Sequence, residues 1–153
     1  MKNDSFAAEF IRTFVIFLTG GFIYCILEIL YRGHTHPSMF VLGGLCLVWI
    51  GGLDSFFRRT PSLHFQMLLG ALFITLAEFA CGLIMNVWLG LRVWDYSNLP
   101  FNIMGQVSPP FCGLWMALSL PAVLLENLLR SAFDRAPAGA RLAPAGARLA
   151  PAG

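Results

Sequence analysis

The chain has 153 residues, 58% of them hydrophobic and only 12% charged, with a formal net charge of +2 and a mean hydropathy of +0.72. Soluble domains carry about 25% charged residues, so this composition excludes an ordinary water-facing surface. The small net charge, without a basic patch among stacking aromatics, argues against nucleic acid as a partner.

The charges lie mostly between long apolar runs or at the ends of the chain, the pattern of an all-α polytopic membrane protein in contact with a lipid bilayer. Residues 1–9 form a short polar N-terminus carrying Lys2. The first apolar run, residues 10–31, is long enough to cross a hydrocarbon core of about 30 Å. It exceeds a signal-peptide core, so no cleavable leader is expected. Arg32-Gly33-His34-Thr35-His36-Pro37 makes a tight connection to a second span over residues 38–57. Gly43-Gly44 and Gly51-Gly52 in that span are small residues of the kind that let helices approach closely in lipid. Arg58-Arg59-Thr60-Pro61 ends it, and a third span is expected over residues 63–91, longer than a crossing needs.

The segment from Trp94 to Gln106 is the one long polar interruption. Asp95, Ser97, Asn98, Pro100 and Gly105 favour a folded loop, and Trp94 and Tyr96 are expected to anchor it at the membrane interface. Pro109-Pro110 suits the start of a fourth helix that runs to about residue 129, with a kink expected at Pro121. The expected architecture is therefore a four-helix transmembrane domain over residues 10–135, with a structured outer loop between the third and fourth helices. Residues 136–153 repeat Ala-Pro-Ala-Gly-Ala-Arg-Leu and are expected to be disordered, since Pro in every unit breaks a helix.

Counting basic residues near the span ends puts Lys2, Arg12, Arg58, Arg59, Arg130 and Arg135 on one side, and only Arg32 and Arg92 on the other. Both termini are thus expected in the cytoplasm of a multi-pass cell-membrane protein. Cys25, Cys46, Cys81 and Cys112 have no paired or metal-ligand spacing and read as free thiols.

Two carboxyls inside spans are the strongest chemical signal, because a carboxylate at the bilayer centre costs about 2.5–3.5 kcal/mol. Glu78 lies near the middle of the third span, on a stripe with Thr75, Gly82 and Asn86. Glu28 lies near the outer end of the first, with Arg32 four residues on in the favourable order for an ion pair. Glu28, Arg32, Glu78 and Asn86 are therefore the candidate intramembrane polar site. The depths of Glu28 and Glu78 differ too much for a carboxyl dyad. Gly20 and Glu28 are spaced as Gly70 and Glu78 are, a weak match to a parallel two-helix repeat. In the outer connections, His34, His36, Asp95, Asn98 and Asn102 are the polar candidates. Asp95 is placed either as the cap of a turn or, with Asn98 and Asn102, around an outward-facing cavity above Glu28 and Asn86. Two histidines alone make a poor metal site, so no metal and no cofactor is expected. No phosphate-binding loop, nucleophile elbow or HExxH motif is present.

Several motifs carry a resemblance. They are Thr19-Gly20-Gly21, the run from Glu28 to Met39, Gly43-Gly44-Leu45-Cys46, Glu78-Phe79-Ala80-Cys81-Gly82-Leu83-Ile84-Met85-Asn86, and Val93-Trp94-Asp95-Tyr96-Ser97-Asn98-Leu99-Pro100-Phe101-Asn102 with Gly105-Gln106. Together they resemble the bacterial CmpB-like membrane family of ABC-transporter permeases, type IV, over residues 10–133. The resemblance implies a transport component without its own ATPase, working with a separate ATPase subunit and forming a pore through a homo-oligomer. It supplies no catalytic residues. The alternatives are a membrane enzyme acting on lipid or envelope precursors at the outer loops, and a structural or accessory membrane protein.

Overall fold

A computed structural model describes residues 2–57 and 62–135. The Arg58–Pro61 connection and the repetitive tail lie outside the described residues. The rest is helical: α1 (Lys2–Arg32), α2 (Pro37–Phe56), α3 (Leu63–Gly82) continued by a π-helical segment (Leu83–Trp88), and α4 (Pro109–Arg135). There is no strand among the described residues beyond an isolated bridge between Ile103 and Val107.

Three stretches are long and apolar enough to cross a membrane, Phe6–Arg32, Leu63–Trp88 and Pro109–Arg135, and Pro37–Leu53 is a shorter apolar helix. The chain is a helical protein of membrane type. No helix breaker interrupts residues 2–9, so α1 begins well before the first apolar run. Arg12 pairs there with Glu9 at 2.5 Å.

The helices form two hairpins, α1 with α2 and α3 with α4, and α2 also packs on both α3 and α4. Small residues set the first hairpin. A Cβ at Gly20 would lie 2.5 Å from the Gly43 carbonyl oxygen, and one at Gly44 would lie 2.6 Å from the Phe17 ring. Backbones this close gain dispersion contacts that apolar bulk in lipid cannot supply. His36 caps α2 by accepting from Ser38 N through Nδ1 at 3.2 Å, with Pro37 at the first helical position.

α3 differs from the span expected over residues 63–91 at its C-terminal end. The regular helix stops at Gly82, and a π-helical segment carries it only to Trp88, three residues short of the predicted limit. The cause lies in Asn86. Its Oδ1 accepts Val93 N at 2.6 Å, while its Nδ2 donates to Trp94 O at 3.0 Å and to Gln106 Oε1 at 2.8 Å. Turning this side chain toward the loop widens the helix locally, as π-segments do at functional or strained positions. Gly90 then takes a φ of 66° and Arg92 one of 50°, reversing the chain into the loop.

Candidate functional site

The site is built where α1, α3, α4 and the loop between Trp88 and Pro109 meet. On α3, Gln66, Gly70, Ala71, Ile74, Glu78 and Gly82 form the buried face, so Glu78 shares its stripe with Gly82 and Ile74. Glu78 is only 2% exposed. Its Oε1 accepts the Tyr96 hydroxyl at 3.0 Å and its Oε2 accepts Trp115 Nε1 at 2.7 Å. Both oxygens are held by neutral donors, one from the loop and one from α4. Among the described residues no cation forms an ion pair with it. Burial and then the adjacent Glu78 carboxyl push the Tyr96 hydroxyl above the ordinary tyrosine range.

Trp94 and Tyr96 are not interface anchors. Trp94 is buried and donates from Nε1 to Gln106 O at 3.0 Å, and the Tyr96 ring stacks on Phe111 at 4.2 Å. Each indole or phenol finds a partner inside the bundle, which satisfies its polar atom and buries its ring together. Gly82 permits this docking. A Cβ there would lie 3.0 Å from the Trp94 ring.

Glu28 has different company. It pairs with Arg32, as the spacing predicts, and accepts Thr35 Oγ1 at 2.5 Å. Arg32 Nη1 also donates to Val93 O at 2.5 Å, which ties the end of α1 to the start of the loop. Glu28 and Arg32, with Tyr24, Tyr31, Tyr96 and Trp115, line a cavity of about 250 Å³. A second cavity, about 280 Å³, lies next to it along α1 and α4, and Tyr24, Leu27, Trp115 and Leu118 line both.

The remaining loop candidates serve the loop itself. Asp95 is exposed and its Oδ1 accepts Ser97 N at 2.8 Å; the Ser97 side chain first and this backbone bond second hold its carboxyl below the ordinary aspartate range. Asn102 donates from Nδ2 to Ser97 O and Leu99 O, and its Oδ1 accepts Gly105 N at 2.9 Å. Asn98 is exposed. None of these three lines either cavity. His34 Nδ1 lies 3.0 Å from Arg32 O, and His36 is the α2 cap. Among the described residues no group of three His, Cys, Asp or Glu side chains is arranged to hold a metal ion.

Two features were missed in the sequence. Trp115 stands 37 residues from Glu78, and nothing local announces the contact. Glu126, only 3% exposed, pairs with Arg130 at 3.0 Å, and Arg130 also donates to Gly51 O. That arrangement repeats the Glu28–Arg32 spacing at the other end of the bundle, so the Glu126-x3-Arg130 pattern was available as a signal. Gly51 is the matching small residue, since a Cβ there would lie 2.6 Å from Glu126 Oε1.

Comparison with curated proteins and with solved structures found no match. A family model described as "Putative ABC-transporter type IV" matches residues 12–141. That match takes in most of α1, all of the other helices and the whole loop before α4, and so the chain belongs to this CmpB-type family.

Proposed function

We propose that this protein is a transport component of the cell membrane, a permease-like subunit that works with a separate ATPase. Family membership supports the class of function. The observation that carries the reading to particular residues is Glu78, a carboxyl deep in the bundle held by a tyrosine and a tryptophan. An ionisable group in a span is costly, and such groups mark substrate or proton pathways. We assign Glu78 as the functional carboxyl, with Tyr96 and Trp115 as the groups that position it. Glu28 and Arg32 form the polar end of the neighbouring cavity.

The reading takes α2 as a fourth crossing, because 20 helical residues extend about 30 Å. Four crossings leave both termini on the side richer in Lys and Arg, the cytoplasmic side. A pore for a solute then calls for several copies, in keeping with a homo-oligomer. The outer-loop enzyme has less support, since Asp95 and Asn102 bond the loop's own backbone.

The test is purification of the tagged protein from its native cell in mild detergent, with copurifying proteins identified by mass spectrometry. A stoichiometric soluble ATPase, retained by the Glu78→Gln variant while function is lost, is the expected result. Recovery of the chain alone or only with itself would remove the ABC-type reading.

A further inference from the structure

The two cavities form one groove between α1 and α4, and its chemistry is graded along its length. At the loop end it is lined by Glu28, Arg32, Tyr31 and Tyr96. Toward the middle of the bundle it is lined by carbon, with Ile23, Leu47, Leu118 and Ala122 among its walls. Along α1 it reaches from Arg32 to Gly20, twelve residues or about 18 Å. That is close to the depth of one leaflet, half of a hydrocarbon core of about 30 Å. α1 packs chiefly on α2 and meets α4 at few points, so no part of the described chain fills the gap.

We propose that this groove binds one acyl chain of a phospholipid, whose headgroup rests at the Glu28–Arg32 end. Three observations select this occupant. The length matches one leaflet, the polarity falls from headgroup depth to bilayer centre, and the polar end has hydrogen-bonding groups where a glycerol ester would lie. Water would find no hydrogen-bond partners in the carbon-lined half. The site does not depend on the transport reading. It follows from the shape and lining alone.

The experiment uses the full chain in nanodiscs containing a trace of phosphatidylcholine with a diazirine midway along one acyl chain. After photolysis the labelled residues are mapped by mass spectrometry. Labelling is expected to concentrate on Ile23, Leu118 and Ala122, at least several-fold above the outward-facing Leu72, Leu124 and Leu128. The groove-filling Ala122→Phe variant, checked for unchanged helix content and melting temperature, should lose that enrichment, as should the alternative Leu118→Trp variant. Even labelling of groove and outer faces would mean annular lipid only and would overturn the proposal. So would protein–protein crosslinks through the groove in place of lipid adducts, which would mean that a second copy occupies it.

Discussion

Glu28 and Glu78 are both carboxyls on apolar helices, both eight residues after a glycine, yet the chain treats them in opposite ways. Glu28 sits near a helix end and is matched by a cation, Arg32, and a hydroxyl, Thr35. Glu78 sits within a helix and is matched by two neutral aromatic donors from distant parts of the chain. Their glycines behave alike, for Gly20 meets Gly43 of the following helix and Gly70 meets Ser119 of the following helix. Both glycines let the next helix approach, Gly20 at backbone and Gly70 at a serine side chain, and the larger difference lies in the carboxyl's company. Glu126 falls with Glu28: it too has an arginine four residues on, and that arginine also bonds a backbone carbonyl of another element. Two Glu–Arg clamps thus fasten the ends of the bundle, while the carboxyl between them has no clamp.

The comparison can be broken most forcefully at the clamps. Arg130→Ala takes the Arg130 guanidinium away from the buried Glu126. By the usual cost of breaking a buried pair, discounted for a partly exposed arginine, it should lower stability by about 3 kcal/mol, read as a fall in thermal midpoint in detergent. Asn86→Leu removes three hydrogen bonds between α3 and the loop. It should cost roughly 2–4 kcal/mol and raise hydrogen exchange at loop amides near Val93 and Gln106. Trp115→Phe keeps an aromatic ring, though a smaller one, and withdraws a donor from Glu78, for about 1–3 kcal/mol, with the Glu28 clamp unaffected. A larger loss from Trp115→Phe than from Arg130→Ala would erase the distinction between clamp and cradle.

The smallest effect concerns Asp95. Its ionised form is favoured in the folded loop by the Ser97 bond, so its contribution is complete above the ordinary aspartate value of about 3.9. That contribution fades only as pH falls through the lower folded value. Trp94 fluorescence should therefore be unchanged by this group between pH 8 and pH 5. A loop transition in that range that disappears in Asp95→Asn would contradict the assignment.

How much of this was legible in the sequence follows from the range of each interaction. The Glu28–Arg32 pair, the glycines of α2 and the Pro109 start of α4 are local, and periodicity exposes them. The π-segment was not legible, because it depends on Asn86 meeting backbone seven and eight positions away and the Gln106 side chain twenty positions away. Trp94 and Tyr96 were misplaced for a related reason. An aromatic beside a polar loop has the same local signature whether it faces headgroups or a buried acceptor. Only the fold supplies Gln106 O and Glu78 as partners.

The central claim is that the Glu78 cradle is kept for function and adds little to stability. The most direct test is the thermal midpoint of the triple variant Glu78→Leu/Tyr96→Phe/Trp115→Phe beside Trp115→Phe alone. Removing all partners of a buried polar network together is nearly neutral or stabilising, whereas removing one leaves another unsatisfied. The account predicts a triple variant that melts at or above the single one and near the wild type. A triple variant that melts well below Trp115→Phe would show the cradle to be part of what holds the bundle together, and would contradict the claim.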